Sequence, residues 1–173
     1  SKVPSGRQIL TTGFNPVNII REYMPNSFTQ LYIHYVFIVQ ERECALKPEI
    51  QERFYPYLVS LIHQKKCVTI AINGTENHIH LLVKMHPDVS ISELAQFAKA
   101  NSSHWANEIR LFPHRFHWQE GYGAFSVSQS MFETVVKYIE NQVEHHKHQT
   151  VQEEYELFLK KHKIEYNPKY LPK

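Results

Sequence analysis

Two histidines spaced two residues apart carry the first chemical signal in the chain: His78 and His80, in the run Asn77-His78-Ile79-His80-Leu81-Leu82. On a strand, side chains at i and i+2 share a face. Two imidazoles on one face of a rigid element make a pair of metal ligands, while Ile79 and Leu81 point the other way, into a core. A chance His-x-His is ordinary in a chain with twelve histidines. Position argues against chance here: the pair interrupts an otherwise apolar strand, and a buried imidazole needs partners. Two ligands are too few, so a third has to come from elsewhere, and an open position has to remain for chemistry. Asn77 and Glu76, at the mouth of the strand, are placed to orient a ring.

The second signal lies in residues 131–146. Phe132, Val135, Val136, Ile139 and Val143 form one apolar stripe at helical spacing. Tyr138 is off that stripe, roughly 110° from its centre at about 100° per residue. Gln142, four residues on, stacks on the same flank, with His145 near it. A tyrosine beside an amide and an imidazole, away from the core, is placed for chemistry or binding. The plain alternative is a boundary tyrosine shielding the helix edge, and Tyr122, between Gly121 and Gly123, is a rival.

The elements that position these residues read as follows. Residues 28–40 form a strand, aromatic and β-branched on both faces. Pro48 sits in the first turn of a helix that runs to about residue 65. A strand at 67–73, a tight Gly74-Thr75-Glu76 connection and a strand at 78–85 form a hairpin. Ser90 with Glu93 has the spacing of a capping box, with Ser92 as the other cap, for a helix to about residue 110. A short edge strand follows at 115–119. The order β-α-β-β-α-β predicts an α+β fold, a ferredoxin-like or RRM-like antiparallel sheet with both helices on one face. The opposite face is expected to stay open for a ligand. Gly121-Tyr122-Gly123 breaks the chain and can act as a hinge. A tyrosine helix is expected over 129–147 and one more helix over 153–163.

Residues 1–23, punctuated by Pro4, Gly6, Gly13 and Pro16, hold no sustained period. They read as an extension ahead of a domain at 24–149, with 150–173 as a tail. The length of 173 residues suits one domain. A net charge of +2 does not by itself announce a nucleic-acid binder. Cys44 and Cys67 have neither zinc-site nor disulfide spacing, which fits unpaired thiols in a reducing cytosol. The longest apolar stretch, 31–39, is broken by His34 and is too short for a membrane span. No apolar targeting segment opens the sequence, and a cytoplasmic protein is expected.

With both signals in hand, the sequence resembles the IS200/IS605-type tyrosine transposases, including their REP-associated relatives, which are HUH (His-hydrophobe-His) nucleases with one catalytic tyrosine. The resemblance runs from about Met24 onward. It rests on Leu31-Tyr32-Ile33-His34-Tyr35-Val36-Phe37, on the His78/His80 run, and on Lys99-Ala100-Asn101-Ser102-Ser103-His104-Trp105. It continues through Trp118-Gln119-Glu120-Gly121-Tyr122-Gly123-Ala124-Phe125-Ser126-Val127-Ser128 and Tyr138-Ile139-Glu140-Asn141-Gln142 followed by Glu144-His145-His146. It implies that His78 and His80 are metal ligands, that Gln142 is the third ligand and that Tyr138 is the nucleophile. The implied metal is Mg²⁺ or Mn²⁺, although imidazoles alone favour zinc, nickel or copper. The implied reaction is cleavage and rejoining of hairpin-bearing single-stranded DNA through a 5′-phosphotyrosine, in a bacterial or archaeal cytoplasm. A homodimer whose tyrosine helix serves the partner in trans is expected, with a monomer acting in cis as the other arrangement. Lys99, Asn101, Ser102, His104, His114, Arg115 and His117 are candidate DNA contacts. Two competing readings are a non-catalytic or domesticated single-strand binder on the same sheet and another HUH nuclease, a relaxase or replication initiator. The Tyr138/Gln142 helix argues against the latter.

Overall fold

The computed structural model describes residues 28–40, 42–145 and 150–171, so the expected extension at 1–23 lies outside the described residues. The elements are β1 (Tyr32–Ile38), α1 (Pro48–Gln64), β2 (Val68–Gly74), β3 (His78–Lys84), α2 (Ile91–Glu108), β4 (Gly123–Val127), α3 (Phe132–Glu140), α4 (Gln142–His145) and α5 (Val151–Lys161). The strands form one sheet in the order β2-β3-β1-β4, with every neighbouring pair antiparallel. This is the expected ferredoxin-like arrangement.

Strand parity divides the residues between two faces. Ile33, Tyr35 and Phe37 of β1 and Ile79, Leu81 and Val83 of β3 face α1 and α2. There they meet Phe54, Leu58, Leu61 and Ile62 of α1 and Leu94, Ala95 and Ala98 of α2 in the main core. Pro48 opens α1. The Ser90 side chain caps α2, accepting from the Glu93 amide at 3.1 Å. Cys44 and Cys67 are buried thiols that are not joined in a disulfide. No helix among the described residues is long and apolar enough to cross a membrane.

The fourth strand is not at 115–119 but at Gly123–Val127, paired along β1. Phe116 and Trp118 are drawn into the main core, and side chains of α2 take the backbone groups that a ladder would use. Asn107 both donates to the Phe116 carbonyl at 2.9 Å and accepts from its amide at 2.7 Å, and Ser103 donates to the same carbonyl. Only an isolated bridge, Val39 to Trp118, remains. The expected hinge is corrected with it. Gly121 alone takes a left-handed turn, at φ 74°. Gly123 lies within β4, where an added Cβ would stand 3.2 Å from the Tyr155 ring; its bare backbone is a seat for α5.

The helix expected over 129–147 is also broken. A 3₁₀ turn at Gln129–Met131 precedes α3, and Asn141 separates α3 from α4. The break shifts the helical phase. Gln142 turns inward and is fully buried, while Val143, assigned to the apolar stripe, is 63% exposed.

The second face of the sheet is not left open. Helix α3 packs over β2 and β3. Helix α5, begun by a Thr150/Glu153 capping box, covers β1 and β4. Its Leu159, Phe158 and Tyr155, with Tyr166 and Leu171, close on Val36, Ile38 and Phe125. The Phe125 and Phe158 rings stack at 5.0 Å. Residues 150–171 therefore pack as part of the same folded unit as the sheet.

Candidate metal and tyrosine site

Strand β3 turns His78 and His80 to the face away from α1 and α2, and both are fully buried. The hairpin that delivers them closes at Gly74, where a Cβ would stand 2.2 Å from the His78 carbonyl oxygen. Only a residue without a side chain lets the backbone of His78 come so close. The Nδ1 of His78 lies 2.8 Å from Asn77 Oδ1 and 2.9 Å from Thr75 Oγ1. The Nδ1 of His80 lies 2.8 Å from Nε2 of His34 on β1. Since Val36 pairs with His80, His34 is its diagonal neighbour across the strands.

The Nε2 atoms of both rings point at one carboxylate. Glu154 of α5, 3% exposed, puts its Oε2 3.3 Å from each, and the ligand atoms of the three residues lie within 4.8 Å of one another. Gln142 joins them, with its Oε1 3.4 Å from His78 Nε2 and its amide nitrogen donating to Glu154 Oε1 at 3.3 Å. The Tyr138 hydroxyl donates to the same Glu154 Oε1, and its ring stands edge-on to His80 at 5.7 Å.

Burial governs the charges. It lowers the His34 imidazole to about 3, helped by the adjacent His80, and lowers His80 as well. For Glu154 burial works toward the neutral acid, but contact with His78 and His80 outweighs it and takes the carboxyl to about 2. The result is a buried carboxylate anion, with burial holding the His34 and His80 rings toward their neutral forms. His80 Nε2 makes no well-formed hydrogen bond among the described residues and stands 3.3 Å from Glu154 Oε2. An orphaned buried nitrogen, a second imidazole nitrogen and an anionic oxygen converging on one point are a donor set that fits a divalent cation. The buried His78, His80 and Glu154 group can bind a metal ion.

A profile of the IS200-like transposases matches residues 27–142. The chain belongs to the IS200-like transposase family. Two solved structures share the transposase fold. One is a candidate transposase from Deinococcus radiodurans R1, at 22% identity over 68% of this chain and 94% of that one, with a TM-score of 0.53. The other is a REP-associated tyrosine transposase bound to a REP hairpin, at 15% identity over 72% and 73% of the two chains, with a TM-score of 0.54. No curated protein matches the chain.

Of the residues expected in the transposase site, His78, His80, Tyr138 and Gln142 are brought together. The side chain of His145 lies outside the described residues. Two participants were missed, Glu154 and His34. The family match ends at Gln142, so α5 lies beyond it. A signal for Glu154 did exist. Val151, Tyr155, Phe158 and Leu159 mark an apolar helical face, and Glu154 stands at a position of that face. His34 shares the strand parity of Tyr32, Val36 and Ile38 and so points at the histidine face.

The expected DNA contacts are not gathered here, because α2 lies across the sheet from the histidines. Ser102 is fully buried and accepts from Trp118 Nε1 at 3.0 Å, which leaves it no surface to offer DNA. The Lys99 ammonium is held by the carbonyls of Gln119 and Gly121. Asn101 donates to the Phe97 carbonyl at 2.8 Å. His104, His114, Arg115 and His117 are exposed.

Proposed function

We propose that this transposase cleaves and rejoins hairpin-bearing single-stranded DNA with Tyr138 as nucleophile and a divalent metal held by His78, His80 and Glu154, with Gln142 beside them. One observation carries the reading: the Tyr138 hydroxyl and the Nε2 atoms of both histidines meet on a single buried carboxylate. The substrate class is supported by the neighbour of the same fold that is bound to a REP hairpin. When bound, the cation would draw electron density from a phosphodiester oxygen and stabilise developing charge. The carboxylate of Glu154 and the amide oxygen of Gln142 are hard donors, which favours Mg²⁺ or Mn²⁺ over an all-nitrogen preference for zinc.

The work of the chain itself is to orient and activate the phenol. A free tyrosine phenol ionises near pH 10. Glu154, with its carboxyl at about 2, is too weak a base to strip that proton outright; its hydrogen bond aims the hydroxyl instead. As the proton leaves, the phenolic oxygen attacks phosphorus in line. The bond from phosphorus to the 3′ oxygen breaks, and the departing oxygen gains a proton to become a free 3′-OH. The product is a 5′-phosphotyrosine that conserves the bond energy. A second 3′-OH reverses the step, sealing a new junction and returning the proton to Tyr138. The proposed setting is a bacterial or archaeal cytoplasm.

Tyr138 meets the histidines of its own chain, which favours a monomer acting in cis over the trans dimer implied by the resemblance. Mixing Tyr138→Phe with His80→Ala tests this. Restored activity would require exchange between two chains; the cis reading expects none. The chemistry is tested by incubating the chain with Mn²⁺ or Mg²⁺ and single-stranded hairpin DNA, then separating products under denaturing conditions. A covalent adduct lost in both Tyr138→Phe and His80→Ala is expected. An adduct that survives Tyr138→Phe and disappears in Tyr122→Phe would refute the nucleophile.

A further inference from the structure

The two metal-facing histidines are held from behind by chemically different partners. A neutral imidazole carries one proton, so a ring that offers its Nε2 lone pair to a metal must carry that proton on Nδ1. For His78 the matter is closed by an oxygen: Asn77 Oδ1, 2.8 Å from Nδ1, can only accept. For His80 the partner is another imidazole, with Nε2 of His34 at 2.8 Å. One proton lies between these two nitrogens, and either ring could own it. The proposed role of His80 decides: a ring that gives its Nε2 to a cation carries its proton on Nδ1, the nitrogen 2.8 Å from His34 Nε2.

We infer that His34 is a positioning residue: its Nε2 accepts the Nδ1 proton of His80, fixing the tautomer and orientation that present His80 Nε2 to the metal. His34 is suited to hold one pose. It is 1% exposed, and its ring is boxed edge-on by Phe158 at 5.2 Å, Tyr138 at 6.3 Å and Phe125 at 6.4 Å. Two of these walls are conditional on neighbouring helices, since Phe158 belongs to α5 and Tyr138 to α3. The docking of both helices is thereby coupled to the aim of a residue on β3. The inference rests on the proposed role of His80 as a ligand.

Two measurements on the whole chain test it. Nitrogen-15 spectra of the imidazoles in the metal-free protein, with His80 assigned by substitution, should show the Nδ1–H tautomer for His80. Titration with Mn²⁺, followed by the electron paramagnetic resonance of the free ion, should show His34→Leu binding roughly 10- to 100-fold more weakly, the usual cost of losing an outer hydrogen-bond partner. His34→Gln, whose amide oxygen can accept the same proton, should recover most of that affinity. An Nε2–H tautomer in the unsubstituted protein overturns the inference, as does wild-type affinity in a folded His34→Leu. If His34→Leu does not fold, His34→Gln and the tautomer decide: a glutamine variant that folds but binds 10- to 100-fold more weakly overturns it. A wild-type chain that binds no Mn²⁺ would instead refute the metal reading, and the tautomer would still settle which ring owns the proton.

Discussion

The two faces of the sheet are made from alternate residues of the same strands, yet they are covered in opposite ways. One face is dry and continuous. Ile33, Tyr35, Phe37, Ile79, Leu81 and Val83 are sealed by two long helices, and the aromatic rings of Phe54, Phe116 and Trp118 interlock at centroid distances of 4.9–5.7 Å. The other face carries His34, His78 and His80, covered by the short helix α3 and by α5. Its apolar cluster is small: Val36, Phe125, Leu159 and Leu171. Stability is therefore concentrated on the first face, while the second holds buried polar groups that are partnered with one another except at His80 Nε2. A fold arranged this way can change its chemistry without rebuilding its core.

Breaking this contrast should give effects of decreasing size. Tyr138→Phe should reduce the DNA adduct below detection on a denaturing gel while circular dichroism shows the fold retained. Leu81→Ala, on the sealed face, should cost about 2–5 kcal/mol of global stability in urea unfolding, and with it metal binding and activity together. Leu159→Ala, on the thin face, should behave differently. Hydrogen exchange should show α5 opening and Mn²⁺ affinity should fall, while protection of β1 and β3 changes little.

The acid response sharpens the comparison further. Glu154 has its carboxyl lowered in the folded state, so its contribution is complete above the ordinary glutamate range. That contribution should be lost as pH falls from about 4 toward about 2. Metal-free protein should release α5 in that interval, followed by its amide exchange or tyrosine fluorescence, and Glu154→Gln should remove the transition. The smallest effect is expected from Thr150→Ala, which deletes the α5 cap for about 1 kcal/mol, read as a local rise in exchange over α5.

How much of this was legible in the sequence depended on how local each feature is. His78 and His80 were readable because strand parity is fixed two residues at a time. Tyr138 was readable off the apolar stripe of its helix, and Gln142 was placed beside it by counting four residues, a count that crosses the break at Asn141. The same rule failed one residue later. It assumed an unbroken helix through Asn141, and so it put Val143 in the core, when the interruption turns Gln142 there instead. The fourth strand was misplaced because Gly121 and Gly123 look alike in sequence. Only the first takes the left-handed turn; the second is bare because Tyr155 rests on it. Glu154 was passed over for the same kind of reason. A helix was expected over 153–163, but nothing within α5 says that this helix folds back across the sheet to a pair of histidines more than seventy positions earlier.

That fold-back sets an order of events during synthesis. The chain is made from its N-terminal end, so His34, His78, His80, Tyr138 and Gln142 all exist before position 154 does. Until α5 has been made and has docked, a nascent polypeptide holds the tyrosine and the imidazoles without the anion on which they converge. If the cation requires that anion, the proposed site is incomplete in a partly made chain and is completed only by the fold-back.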